Sequence, residues 1–206
     1  VTAPKAVRGS SRTSRADWTR AALDTLIEEG VDQVKVAVLS KRLKCARSSF
    51  YWYFKDRQAL LGALLSHWQA TNTAAIVTQA TAPADSINLA LVNLFACWID
   101  GGQFDTQLDF AVRDWARRDG TVRQAVDVSD QTRIAALTAM FTRFDYPPAE
   151  AKIRARIVYF TQIGYDALDQ RETNFERAQS GPDYLFCMTG HEPTPRETQA
   201  VLALGG

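Results

Sequence analysis

A chain of 206 residues with 46% hydrophobic content is long enough for one large domain, or for a small one joined to a medium one, and apolar enough to bury a real core. Its formal net charge of +1 conceals an asymmetry: residues 1–60 hold 12 Lys and Arg against 6 Asp and Glu, and the remainder holds 12 against 17, so a basic module that suits a polyanion precedes an acidic body. Cys45, Cys97 and Cys187 are far apart and odd in number, which argues against a disulfide framework and fits a cytoplasmic protein, and without a C-x-x-C or His/Cys cluster no structural metal is expected.

Residues 1–11 read as a flexible basic arm with Lys5 and Arg8, and no signal peptide is visible there. Over 14–29, Trp18, Ala21, Ala22, Thr25 and Leu26 recur at the spacing of an amphipathic helix, and Gly30 is expected to stop it as a left-handed C-cap. Two very short helices follow, near 36–43 with Leu39 and Leu43 one turn apart, and near 47–53. Asp56 is the expected N-cap of a helix running through Leu60, Leu64, His67 and Trp68 as far as residue 79. The stretch 81–84 is a break, after which Asp85 or Ser86 can cap an apolar helix over 87–99 that Gly101-Gly102 ends. That helix is too short for a membrane span and suits a buried core position. Further helical patterns cover 105–118, 121–144 and 148–169, with Gly120 and Pro147-Pro148 as punctuation, then 183–188 and 194–204. No segment keeps strand alternation, so the chain is expected to be all-α.

The run Arg47-Ser48-Ser49-Phe50-Tyr51-Trp52-Tyr53-Phe54 is poor core material and good material for lying in a DNA major groove between phosphate rows. Arg47, Ser48 and Ser49 are placed for base edges, since an arginine can grip guanine O6 and N7 through its fork. Tyr51, Trp52 and Tyr53 can reach phosphate, sugar or a thymine methyl, although Trp52 is nearly as well explained by packing. Lys35, Lys55 and Arg57 read as phosphate clamps, and Lys44 would sit beside phosphate. Phe50 and Phe54, four apart, are expected to face the core of this head.

Three helices in about fifty residues, with the third short and ready for a groove, resemble the DNA-binding domain of TetR-family transcriptional regulators over residues 12–65. The family pattern ends its recognition helix in a tyrosine, two further residues and a phenylalanine, followed by a lysine and a Leu-Leu pair. Here those positions are Tyr51, Trp52, Tyr53, Phe54, Arg57 and Leu60-Leu61, while Gly30 matches the glycine after the first helix and Ala22 a small packed residue. Three positions depart from it: Lys44 replaces the glycine of the helix-turn-helix turn, Ala46 the Ser/Thr cap, and Ser40 an alanine. Lys44 would then need a positive φ, at a cost of about 1 kcal/mol relative to glycine.

The resemblance implies an arm and helix-turn-helix DNA-binding domain over 1–55 and a helical ligand-binding and dimerisation domain over 56–206. It implies a sequence-specific repressor that binds a pseudo-palindromic double-stranded DNA operator as a homodimer and answers a small-molecule effector, with no cofactor and no membrane. The dimer surface is expected on 148–169, where Ala151, Ala155 and Gly164 would permit close helix contact. An effector pocket is expected between the 87–99 helix and the helices containing Trp115, Phe141 and Tyr165, although a solid aromatic core would look the same in sequence. Its candidate lining and anchors are His67, Asn93, Trp98, Arg113, Trp115, Phe141, Gln162 and Tyr165. Arg113, Asp130 and Arg133 suit ion pairing within the chain at least as well as ligand contact. The other reading is an all-α enzyme or protein-interaction module that has kept an unused helix-turn-helix. With His67 and His191 as its only histidines and no G-x-S-x-G, Walker or H-E-x-x-H pattern, the chain offers no recognisable catalytic constellation.

Overall fold

Ser14 decides where the first helix begins. Its Oγ accepts from the Asp17 N–H at 3.2 Å while the Asp17 carboxylate accepts from the Ser14 N–H at 2.8 Å, a reciprocal capping box that opens α1, Arg15–Glu29. The computed structural model describes residues 13–99 and 104–206; Lys5, Arg8 and Gly101-Gly102 lie outside them. Gly30 does end α1, but with φ 82° and ψ 168° it is extended in the mirror-image sense and not a left-handed cap. Only glycine reaches that region cheaply, and it lets the chain pass straight into the 3₁₀ turn Val31–Gln33.

Next comes α2, Val36–Arg42, and then the tight turn in which Lys44 takes φ 51°, the positive value its position demands. The segment expected as a third α-helix is a 3₁₀ helix, Arg47–Trp52. Ala46 at its N-cap supplies no side-chain acceptor, and six residues without a cap favour the tighter winding. The Phe50 carbonyl closes it by accepting from both the Tyr53 and Phe54 N–H groups at 3.0 Å. Asp56 Oδ1 then accepts from the Ala59 N–H at 2.8 Å at the start of α3, Arg57–Trp68. Trp18, Leu26, Leu39, Phe50, Phe54, Leu60 and Leu64 are buried together in this head, with the Trp18 ring edge-on to Phe50 at 5.2 Å and Phe54 stacked on Phe50 at 5.5 Å.

The chain divides into two compact units, Val1–Leu64 and Leu65–Gly206. In the second, the pattern read as one helix to residue 79 is interrupted by a π-helical segment, Gln69–Thr73, before α4, Ala74–Thr81. The wider turn accommodates Asn72, whose buried amide donates to the Asp105 carbonyl at 2.7 Å and accepts from the Asp105 N–H at 3.2 Å. Asp105 in turn caps α6, Thr106–Ala116. Among the described residues no strand occurs, and the remaining helices are α5 Ile87–Ile99, α7 Gly120–Arg143, α8 Pro148–Ala167, α9 Asn174–Gln179, α10 Gly181–Thr189 and α11 Pro195–Leu202. As its all-round apolar sequence requires, α5 is enclosed, and its buried Asn88 is satisfied by Thr189 and Glu197 at 2.9 and 3.3 Å.

Charged side chains, not only apolar ones, knit the centre of this unit. Arg133 of α7 is fully buried; its Nη1 donates to Asp109 Oδ1 at 2.9 Å and to the Tyr159 hydroxyl at 3.2 Å, and its Nε to Thr73 Oγ1 at 3.1 Å. Asp109 also accepts from the Trp68 indole at 2.7 Å and from Arg113 Nε at 2.8 Å, while Arg113 grips Asp130 through a fork of 3.0 and 2.7 Å. Burial alone would push the Asp109 carboxyl up, but Arg133 and Arg113 outweigh it and hold it below the usual carboxylate range.

A carboxylate depressed in the folded state contributes stability that is complete above its unfolded pKa, about 4, and is lost as pH falls through the lower folded value. Asp109→Asn, which strands Arg133, is expected to cost about 3–5 kcal/mol by urea unfolding at pH 7 and to flatten the loss of stability expected of the parent as pH falls below about 4. An unfolding midpoint equal to the parent's would remove the ion pair from its central role.

Candidate functional site

In a 3₁₀ helix residues three apart eclipse one another, so burying Phe50 leaves the rows Ser48–Tyr51 and Ser49–Trp52 on the other sides. Tyr51 is 61% and Trp52 62% exposed, beside exposed Arg47 and Ser48. Lys35 ahead of α2, Lys44 in the turn and Lys55 before α3 are exposed as well. Cations and aromatic rings therefore stand in water around a short segment whose inward rings are anchored. Such a surface can place cations on phosphates and a guanidinium fork or hydroxyl on base edges.

Three of the expected contact residues have partners inside the head. Ser49 is half-buried and its Oγ donates back to the Ala46 carbonyl at 2.8 Å. Tyr53 donates its hydroxyl to the Thr13 carbonyl at 2.8 Å. Arg57, read from sequence as a phosphate clamp, instead donates Nε to the Val34 carbonyl at 2.6 Å and Nη2 to the Val31 carbonyl at 2.7 Å. The Val31 carbonyl also accepts from the Val34 N–H at 3.2 Å where the 3₁₀ turn closes, and Arg57 ties this turn and the Val34 carbonyl to the start of α3. Arg42 is similarly engaged, with a fork of 2.8 and 3.0 Å to Glu28, whose carboxyl is held down by that hydrogen bond.

The residues expected to line an effector pocket do not all meet. His67 is exposed, while Leu60, Leu61, Leu64 and Trp68 form the buried side of α3. Arg113 belongs to the ion network with Asp109 and Asp130. Phe141 is fully buried edge-on to Tyr146, and Trp115 is packed in α6; neither these two nor Asn93 borders the cavity. Trp98, Gln162 and Tyr165 do come together, around a cavity of about 50 Å³ enclosed by α5, α8, α9, α10 and α11. Its other walls include Phe95, Val158, Arg177, Tyr184 and Met188. Arg177 comes from α9, which is too short to show periodicity; the signal that could have found it is the capping box Thr173-x-x-Glu176.

Residues 19–64 match the model of the family described as bacterial regulatory proteins, tetR family. Over 53 residues the chain is 43% identical to the tetracycline repressor protein class A from transposon 1721 of Escherichia coli, a stretch that spans 26% of this chain and 24% of that repressor. Among solved structures it is similar to Salmonella enterica GusR, with a TM-score of 0.64 at 18% identity over 91% of this chain and 100% of that one. Mycobacterium smegmatis AmtR gives 0.59 at 15% identity over 95% and 96%. The reduced form of Escherichia coli NemR gives 0.58 at 16% identity over 88% and 98%. Those likenesses are of fold.

Arg57→Ala is expected to destabilise the head by about 2 kcal/mol, since two charge-assisted hydrogen bonds to carbonyls are lost. Thermal unfolding followed by circular dichroism checks this, and Lys55→Ala should leave the melting curve in place. Equal effects from both would show that the Arg57 contacts do not hold the turn.

Proposed function

We propose that this chain belongs to the TetR family and is a ligand-responsive transcriptional repressor in the cytoplasm, a homodimer whose two heads bind successive major grooves of a pseudo-palindromic operator. The DNA-binding domain is taken as residues 1–55 and the ligand-binding and dimerisation domain as 56–206. The observation that carries this reading is the contrast within 44–55: Phe50 and Phe54 are buried while Lys44, Arg47, Ser48, Tyr51, Trp52 and Lys55 face solvent. Arg47 and Ser48 read bases; the lysines and Tyr51 hold backbone. In this reading the chain is a regulator and not an enzyme.

Support for the dimer comes from α8, though not from two of the three small residues first expected; Gly164, the third, has open space where a Cβ would stand. Ala151 and Ala155 are fully buried in the protomer's own core, where their small size serves the packing of α8 within its own chain. The outward face of α8 instead shows Ile153, Ile157 and Phe160, large apolar side chains at helical spacing in solvent. A second copy would cover such a stripe. An effector then acts by binding more tightly to a dimer whose head spacing no longer suits the operator, and its leverage is limited to that difference in affinity.

Selection from random duplexes should recover a pseudo-palindrome whose affinity falls steeply with salt. Arg47→Ala should relax the preference at one position per half-site, by about 1–3 kcal/mol. Sedimentation should give twice the 22.9 kDa chain mass. Ile157→Glu should shift the protein to monomer and abolish operator binding, because one head makes too few contacts. Recovery of no duplex, or a monomer that binds with full affinity, would overturn the reading.

A further inference from the structure

We propose that the groove between α6 and α8 takes a primary amine on a compact apolar body, with its ammonium on the Asp166 carboxylate and its body on Phe110, Ile163 and Ala167. The inference names a class of effector and so rests, for its regulatory meaning, on reading the chain as a ligand sensor.

The groove has room for such a molecule. Its volume of about 140 Å³ is many times the roughly 10–15 Å³ that one water requires and close to the roughly 150 Å³ of an apolar cavity that holds benzene. Phe110 lines it from α6 and is 52% exposed, so a ligand that covers the ring gains from removing apolar surface from water. Ile163 and Ala167 add aliphatic carbon from α8.

The charges select the head. Three carboxylates, Asp109, Asp114 and Asp166, border the groove with two guanidiniums, Arg113 and Arg117. Most of this charge is spent inside the protein. Asp109 accepts from Trp68 and Arg133 through Oδ1 and from Arg113 Nε through Oδ2, and Arg113 has both Nη groups on Asp130. Asp114 lies 3.4 Å from Arg118 at the surface. Asp166 is different. Its Oδ1 accepts from Gln162 Nε2 at 2.9 Å, and Arg177 reaches it only through Gln162, to which its Nη2 donates at 2.6 Å. Its Oδ2 is closed off from solvent and has no hydrogen-bond partner among the described residues, an acceptor that native structures rarely leave unmatched. Burial without a bonded cation holds this carboxyl above the usual aspartate range. The terminal torsion of an aspartate is broad, so a partial turn of the carboxylate presents Oδ2 to the groove. An ammonium there brings three donors and the missing positive charge; a hydroxyl brings one donor and no charge, and a carboxylate brings repulsion.

Calorimetric titration of the full chain at pH 7 with benzylamine, benzyl alcohol and benzoate tests the assignment. Benzylamine should bind about tenfold or more tightly than the alcohol, and benzoate should not bind. Asp166→Asn, a neutral isostere at a half-buried position, should keep the melting curve, cut benzylamine affinity about tenfold or more and leave the alcohol nearly unchanged. Asp114→Asn, at a carboxylate already beside Arg118, should change benzylamine affinity about twofold or less. Because the Asp166 carboxyl is held up, benzylamine affinity should decline with falling pH from a value above the ordinary aspartate pKa of about 4. Failure of benzylamine to bind, equal binding of the three probes, or equal losses from Asp166→Asn and Asp114→Asn would overturn the proposal. Benzylamine binding that obeys these variants but releases no operator DNA leaves the site standing and overturns the sensor reading instead.

Discussion

A fully buried arginine at the centre of the C-terminal unit constrains everything packed around it. Desolvating a guanidinium is costly unless hydrogen bonds and a counter-charge are supplied; for Arg133 partners of Nε, Nη1 and the ring face come from four directions in the chain, while Nη2 is left without a hydrogen bond. Asp109 of α6 supplies the charge, Tyr159 of α8 an oxygen, Thr73 of the π turn another, and the Trp68 ring lies 4.9 Å from the guanidinium. An oil-like core would tolerate sliding of these helices; this polar centre does not, because a shift of one turn leaves a charge unmatched. The π turn belongs to the same constraint, since it is the segment that presents Asn72 and Thr73 to these partners. Arg113 extends the lattice to Asp130 and Tyr159, tying α6 to α7 and α8.

The head is organised differently, by aromatic packing. Phe50 sits between Trp18 and Phe54, and this pins a short 3₁₀ helix that would have little stability alone. Anchoring the inward rings frees the outward side chains for contact. Lys44 illustrates the compromise: its positive φ carries a strain glycine would avoid, in a turn where a lysine adds charge.

Much of this was readable from residue order because the helices announce themselves by spacing and caps. The all-round apolar pattern of 87–99 required a surrounded helix, and α5 is one; Phe50 and Phe54 were expected inward and are buried. What escaped depends on through-space geometry. Nothing local distinguishes an arginine that clamps phosphate from one that reaches back 23 residues to the Val34 carbonyl, as Arg57 does. A π turn has no sequence mark, so 56–79 read as one uninterrupted helix, and His67 lies in solvent beside the buried Leu64 and Trp68. Small residues on a helix permit close packing without saying against what, and Ala151 and Ala155 turn out to serve their own chain. Arg177 was overlooked because six residues cannot display a period.

That brief helix has a kinetic consequence. Of the residues in α9 only Ala178 is buried, and its first turn relies on the Thr173–Glu176 capping box, so its amide hydrogen bonds are far less protected by packing than those of α5. Local opening of Asn174–Gln179 therefore requires much less free energy than global unfolding, and it would lift one wall from the cavity while the charged lattice around Arg133 stays closed. In hydrogen exchange the α9 amides should accordingly form a fast-exchanging island beside a slow core, and the traffic of small molecules into the cavity would be governed by the rate at which that island breathes.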